Sequence, residues 1–561
     1  MERNCFVMNK RNIAISGLMA LALTASLFTG CGDGGTKKDS ASSMSSGTAS
    51  VNPENTFPIT DEKTELRVWT VENAYVKNWE TNELTTRLEE RTNVHINWEL
   101  APSGEGDTKF NLSIASGNYP DIYTSMKFST SQVRMCVDDG IFRPLDELIA
   151  QYGYNIRQYY ESDPYVKESI TAPDGNIYTL SYTDIGYHMR SQEKCFVLQE
   201  WLDNLGLEIP KTTEDFKNML IAFRDQDANK NGDTSDEIPF TAYANDSTGW
   251  GNPMFFLIAP FQQLTNLGNK FHQIDDAGNV VFQANTEGFR EGLRYIRDLY
   301  QEGLIAPETF VQDQTMLKAL VSRAESTERL VGAVTDLWPG NFVDTAVMDI
   351  DAYVPVPPLE GPDGVRRADA RNMPVVQMCG AITTQCQIPE VAIRYLDFWM
   401  SEEGSFALES GLEESKGYEV VEDGINFLGE SPAIRPVRDM MTENYAYGAG
   451  VMPWVDTPQR RYSGIDDPEN PSAGKILIDA ALLYDPYAAP NNLPDISWAD
   501  KDVSQKVSEY QTAFKEYILT ASTQFIVGEL SLEDDWDSYL ANLETMGLSE
   551  YLETLAVYYT K

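Results

Sequence analysis

Apolar positions along the chain change their period in regular alternation. From Leu66 the successive segments read "LRVWT", "TNELTTRLEERTN", "VHINWEL", "DTKFNLSIASGNY" and "PDIYTS". The first, third and fifth are short runs rich in β-branched and aromatic residues, as strands are. The second carries Leu84 and Leu88 at i, i+4 with charges between them, as an amphipathic helix on a sheet requires. The order predicted is strand, helix, strand, helix, strand, which is α/β. Further helices are predicted at "TEDFKNMLIAFRDQ", "TEGFREGLRYIRDLYQEG" and "PEVAIRYLDFWMSEEG". Thr212 or Thr213 and Thr286 are their expected starts, Gly303 and Gly404 their expected stops. Pro173-Asp174-Gly175 and the run Gly361 to Gly364 predict turns.

The N-terminus departs from this pattern. Arg3, Lys10 and Arg11 precede the apolar run "IAISGLMALALTASLF", so residues 1–30 read as a signal peptide, too short for a comfortable membrane span. The run ends in "FTGC", which resembles a bacterial lipobox with Cys31 as the lipidated residue. Phe28 stands where leucine is usual, so a cleaved leader without lipid stays open, beside an uncleaved anchor helix. Residues 31–56 are rich in Gly, Ser and Thr and predict a flexible tether. "GCGDGG" matches a dinucleotide fingerprint in letters only, with no strand before it and no helix after it.

Charge narrows the partners. The 561 residues carry a formal charge of −43, which repels phosphate backbones and excludes nucleic acid as an expected partner. A chain of this length is too long for one core and predicts at least two lobes. Cys136, Cys195, Cys379 and Cys386 are too few and scattered for a disulfide framework, although a Cys379–Cys386 bridge is conceivable. The chain has three histidines, His95, His188 and His272; with no G-x-S-x-G or H-E-x-x-H run, they predict neither a zinc site nor a serine triad. Carboxylate pairs at glycosidase spacing arise by chance in so acidic a chain.

One loop concentrates oxygen donors. In "DQDANKNGDTSDEIPF", Asp227, Asn229 and Asn231 alternate before Gly232, as in the first half of a calcium loop. The second half departs: Ile238 occupies the twelfth position, and Asp236 and Glu237 arrive early. The alternative is a solvated acidic loop.

Eight segments give the chain a family resemblance: "IASGNYPDIY", "DDGIFRPLDELI", "APDGNIYTLS", "WLDNLGLEIPKTTEDF", "LRYIRDLYQEGLIAPE", "VPPLEGPDG", "IPEVAIRYLDFWMSEEG" and "FIVGELSLEDDWDSYLANLETMGLSEYL". In this order and spacing the chain resembles the extracellular solute-binding proteins of bacterial ABC importers. The likeness is to their carbohydrate-binding lipoprotein branch, similar to alginate-oligosaccharide-binding members, and covers nearly everything after Phe57. It implies a two-lobed periplasmic-binding-protein-like fold of type II, with a cleft between lobes and crossing hinge segments. The first lobe is expected at 57–183 and 375–400, the second at 184–374 and 401–561. The implied protein is a monomer outside the cytoplasm, tied to the membrane by lipid alone, which delivers an oligosaccharide to ABC permease subunits and performs no chemistry. A surface polysaccharide lyase or hydrolase, and the same fold holding a peptide or another polar solute, are the alternatives.

Sugars offer flat C–H faces and a rim of hydroxyls, so aromatic rings and polar groups at strand ends are the candidates. Those chosen are Trp69, with Glu72 and Asn73 just beyond; Tyr123 and Lys127, with Ser125 between; Asp336 and Trp338; and Trp250 and Trp454 in Gly/Pro-rich loops. Trp201, Trp399 and Trp536 are expected in the core, and His188 at a hinge or cleft wall. By resemblance, Asp227, Asn229 and Asn231 are side-chain ligands of a structural Ca2+, Asp233 binds through its carbonyl, and Asp236 and Glu237 close the site. "EIPF" reads as a strand, so a rigid clamp is expected rather than a calcium-sensing switch.

Overall fold

A computed structural model describes residues 50–559, apart from 245–248, 265–269, 276, 324–327, 372, 468–471, 490–493 and 495. Cys31, the leader and most of the expected tether lie outside the described residues. Everything below concerns the compact unit Thr48–Lys561.

Fifteen strands form among the described residues. In the first lobe, β1 (Thr64–Val71), β2 (Val94–Ala101), β3 (Ile122–Tyr123) and β12 (Ala381–Ile382) make a sheet of order β12-β3-β1-β2, parallel except for β12. The helix Glu83–Thr92 covers it as its spacing predicts: Asn82 accepts from the Leu84 amide as N-cap, and Leu84 and Leu88 are buried. In the second lobe, β5 (Lys194–Leu198), β6 (Ile238–Thr241), β9 (Val331–Asp336) and β10 (Tyr353–Val356) make a sheet of order β10-β5-β9-β6. Each sheet has its own hydrophobic core, one holding Leu66, Val68 and Ile122, the other Phe196, Phe240 and Val334.

A third sheet joins the lobes. It consists of β4 (Leu180–Asp184), β11 (Val375–Cys379) and β15 (Trp454–Asp456), with β11 antiparallel and β15 parallel to β4. Leu180 belongs to the first core and Cys195 to the second, Val376 to the first again, and Val455 to the first with Ala480 in the second. The chain thus crosses three times, and the crossings hydrogen-bond to one another. Two hairpins complete the strands: β7 (His272–Ile274) with β8 (Val280–Phe282), and β13 (Tyr418–Val421) with β14 (Ala433–Pro436).

Several expectations need correction. Packing divides differently over 401–455: Ala407, Leu408, Leu412, Tyr447 and Met452 join the first core, because the return to the second lobe follows β15 and not residue 400. The end of the expected tether is pinned. The buried Arg394 guanidinium donates to the carbonyls of Asn52 at 2.9 Å, Pro53 at 2.7 Å and Thr56 at 2.7 Å. Gly404 does not stop a helix. The helix Pro389–Trp399 ends earlier, and Ser401 caps a new helix, Glu402–Ser410, by accepting from the Gly404 amide. Cys379 and Cys386 are both free, buried thiols. Thr212 and Thr286 do cap their helices, and Trp201, Trp399 and Trp536 are buried in the cores.

Candidate functional site

At the carboxyl end of the first-lobe sheet, two turns are tied together. The Thr124 amide donates to the Trp69 carbonyl at 2.9 Å, and the Ser125 and Thr70 hydroxyls share a hydrogen bond of 2.7 Å. Glu72 and Lys127 are exposed beyond this tie. Asn73 turns inward, donating to the Tyr447 carbonyl and accepting from the Tyr75 and Val76 amides. Trp69 and Tyr123 do not reach the edge. β1 continues to Val71, so Trp69 lies within the strand, 4% exposed, and packs on the Tyr123 ring at 5.6 Å. The Tyr123 hydroxyl is held by Ser113 at 2.6 Å. Both rings belong to the core in this conformation, contrary to the ligand role expected of them.

Trp454 is corrected in the same way. It opens the crossing strand β15 and is fully buried, with the Arg460 guanidinium 4.1 Å over one part of the ring and Tyr182 edge-on at 5.2 Å. A crossing strand is wrapped by both lobes, so a ring on it has no open face. Around it lies a buried charge cluster that the sequence reading missed. Asp456 and Asp184 are partners on neighbouring parallel strands. Arg461 donates to Asp456 at 2.5 Å and lies 3.5 Å from Asp184, while Arg460 pairs with Asp456 and Glu409. Burial pushes the Asp184 carboxyl up to about 7, Arg461 opposes this, and Asp456 adds to it. His188 follows on the next turn, buried and held down to about 3 by burial and by the charges of Arg461 and Lys194. The Tyr187 ring stacks on Tyr462 at 5.4 Å, and Arg190 covers its face at 4.4 Å.

The second-lobe edge is built from polar contacts. β9 ends in Asp336, fully buried and beside Lys194 on β5. Asp336 accepts from the Tyr243 hydroxyl at 2.8 Å, the Asn341 amide at 2.5 Å and the Leu337 main chain at 2.6 Å. Burial raises its carboxyl to about 6. It positions neighbours and offers sugar hydroxyls no free face, which corrects its expected role. Lys194 donates to the Ser191 and Leu337 carbonyls; its burial lowers the ammonium to about 7.

Trp338 is the indole left at this edge. It is half-buried, and its Nε1–H donates to the Asn341 side-chain oxygen at 3.1 Å. A Cβ on Gly340 would stand 2.4 Å from this ring, so glycine there lets the indole lie against the turn. Tyr243 and Asn341 were not singled out beforehand; the one cue was Asn341, three residues after Trp338 in "WPGN". Trp250 is half-buried in a partly described loop. A cavity of about 670 Å³ opens beside Gly340 and Asn341. Another, of about 660 Å³, lies between the helix Glu402–Ser410 and the β13–β14 hairpin and touches none of the residues chosen from the sequence.

The oxygen-rich loop folds as a ladder of Asx turns. Asp227 accepts from the Gly232 amide at 3.0 Å, Asn229 from Asn231 at 3.0 Å, and Asn231 from Asp233 at 2.7 Å. Gly232 has φ +92°, a value that favours glycine. The Asn229 and Asn231 amides both donate to Asp236, and Glu237 accepts from the Ala228 amide at 3.0 Å. Asp233 caps Ser235. Two buried carboxylate oxygens, Asp227 Oδ1 and Glu237 Oε2, have no protein partner. Among the described residues, no three carboxylate, imidazole or thiol groups gather closely enough to hold a metal. The loop's donor set instead mixes carboxylates with two amides and a carbonyl, hard oxygens of the kind calcium takes.

Comparison with known proteins supplies a context for this geometry. The family described as bacterial extracellular solute-binding proteins matches residues 74–405, more than half of the chain. The fructooligosaccharide ABC transporter substrate-binding protein FusA of Streptococcus pneumoniae is 28% identical over 96% of this chain and 97% of its own. Its structure with kestose superposes with a TM-score of 0.67 at 25% identity, covering 88% of this chain and 98% of FusA. FusA has also been solved as an EF-hand mutant with fructo-nystose. An HMO-binding, ABC-transporter-associated solute-binding protein of Bifidobacterium longum infantis has a TM-score of 0.72 at 20% identity, over 89% of this chain and all of the other. The alginate-binding protein AlgQ2, solved without calcium ion, has a TM-score of 0.59 at 21% identity, over 91% of this chain and all of the other. Among the described residues, no helix is long and apolar enough to cross a membrane.

Proposed function

Because the chain belongs to the bacterial extracellular solute-binding proteins, we propose that it is the substrate-binding component of an ABC importer and captures an oligosaccharide outside the cell. The observation that carries this reading is the Trp338 indole at the carboxyl end of β9, held in plane by Asn341 over Gly340. A fixed, half-open aromatic face binds the C–H face of a sugar, and open α/β sheets bind ligands beyond the carboxyl ends of their strands. Trp250 extends the apolar surface, and Glu72 and Lys127 meet hydroxyls from the first lobe. The crossing sheet is the hinge on which the lobes close and trap the ligand. FusA, alike over nearly its whole length, supports a carbohydrate.

The protein acts as a monomer, binds without cutting, and hands its ligand to permease subunits. Cys31 is the lipid attachment site, and residues from 31 to about Ser50 are the tether. The oxygen-rich loop holds a structural Ca2+ through Asp227, Asn229, Asn231, the Asp233 carbonyl, Asp236 and Glu237, which ties the end of one helix to β6. The unpartnered oxygens of Asp227 and Glu237 support this, as does the EF-hand of FusA. Calcium at a hundredfold excess over its dissociation constant should stabilise the fold by about 2.7 kcal/mol. Chelation should lower the melting temperature and calcium restore it; a melting temperature indifferent to both sinks the metal site.

The test of the function is recovery of ligand. Protein incubated with labelled neutral oligosaccharides and re-isolated should carry them at unchanged mass. New reducing ends or unsaturated products would show an enzyme instead.

A further inference from the structure

The cavity of about 670 Å³ beside Gly340 and Asn341 has walls whose chemistry is specific. One wall is the helix Gln314–Val321, which buries Leu317 and Val321 in the second core. Its other side brings Gln314, Thr315, Lys318 and Ala319 to the cavity, residues spaced i, i+1, i+4 and i+5 and so on one face. The opposite wall is the turn from Gly340 to Asp344, fastened by the Asp344 amide donating to the Ser322 hydroxyl at 2.7 Å.

Two features join this cavity to the indole. Gly340 is a wall of the cavity and also the residue against which the Trp338 ring lies. Asn341 is a wall too, and its side-chain oxygen holds Trp338 Nε1. Gln314 reaches back to the Tyr243 hydroxyl at 3.4 Å, and Tyr243 donates to Asp336. One turn and one network therefore build both the stacking face and the cavity edge.

We infer that the bound oligosaccharide runs past Trp338 into this cavity, which is a second subsite for neutral, hydroxyl-rich sugar units. The inference rests on the carbohydrate reading above. The volume falls within the roughly 300–1,000 Å³ of small-molecule sites. An amide, a hydroxyl, an ammonium and a carboxylate supply both donors and acceptors, as sugar hydroxyls need. Lys318 and Asp344 balance each other, so the walls carry no net charge to select a uronate. Ala319 leaves the space that a larger side chain would fill.

Neutral fructo-, galacto- and malto-oligosaccharides of two to four units, with uronate oligomers of equal length, provide the calorimetric probe. In wild type, affinity for the neutral series that binds should rise about tenfold between the shortest and longest members, and uronates should bind more weakly at every length. Ala319→Trp, at an exposed position, should keep the melting temperature and short-sugar affinity but abolish the rise with length. A rise that survives in Ala319→Trp, no rise in wild type, or tighter uronate binding overturns the subsite and leaves the carbohydrate reading standing. If no sugar of any series binds, that reading fails and the subsite fails with it.

Discussion

The edges of the two lobes treat their aromatic residues in opposite ways. In the first, Trp69 and Tyr123 sit at the carboxyl side of a parallel sheet and are swallowed by the core, with Ser113 and the helix Gly106–Ser116 over them. In the second, Trp338 stands just past β9, and a buried carboxylate, an amide and a phenol hold its turn open. Nearness to a strand end does not decide which ring keeps an exposed face. What decides it is whether the ring's polar edge is satisfied by neighbours that also prevent collapse: the Trp338 N–H has Asn341, and Asn341 has Asp336. Trp454 makes the same point at the hinge, where packing closes both faces of the ring.

Breaking the buried side of this contrast should have the largest effect. Trp69→Ala and Trp454→Ala each empty a packed site, and about 3–5 kcal/mol of stability should be lost in denaturant unfolding. A change below 1 kcal/mol, with ligand affinity lost, would return either ring to the binding site.

Asn341→Ala sharpens the other side. It removes one donor from the buried Asp336 and the partner of the Trp338 indole, so sugar affinity should fall by about 1–3 kcal/mol. Trp338 fluorescence should change because its N–H loses a fixed acceptor. Unchanged affinity and emission would mean that Asn341 does not position the ring.

The smallest effect lies at the hinge between the two edges. Asp184 has a carboxyl raised from 3.8 to about 7 in the folded state. A folded state that holds the proton more tightly gains stability on acidification, fully present below the ordinary value and lost as pH rises through 7. Melting curves should therefore show a positive contribution on going from about pH 8 to about pH 5 that Asp184→Asn lacks. Parallel pH profiles for wild type and variant would show that Asp184 does not titrate in this window.

Much of this fold is legible in the alternation of periods. The β1-to-β3 run appears where the apolar spacing predicts it, since Leu84 and Leu88 can serve only one helical face, and the Thr212 and Thr286 caps follow from local hydrogen bonding. Long-range pairing is what the sequence conceals. Nothing in "TPQRRY" says that Arg461 will meet Asp184, 277 residues earlier, and nothing local says that Arg394 will grip the chain at Asn52. Gly404 misled because glycine suits a helix stop and equally a close approach: a Cβ there would stand 2.0 Å from the Phe398 carbonyl. Of the candidate site, Trp338 was readable as an aromatic ending a β-run, whereas Tyr243 lies just past β6, 93 residues before Asp336 in the chain, and only the pairing of β6 with β9 brings the two together.

The most direct measurement is a calorimetric titration of a neutral oligosaccharide into wild type and Trp338→Ala, each first shown to melt at the same temperature. The account predicts saturable binding in wild type and a loss of about 1–3 kcal/mol in the variant, the scale of one stacked and buried aromatic contact. Equal affinity in two equally folded proteins would contradict it, because the ligand would then be held somewhere other than at the indole that Asn341 and Gly340 keep open.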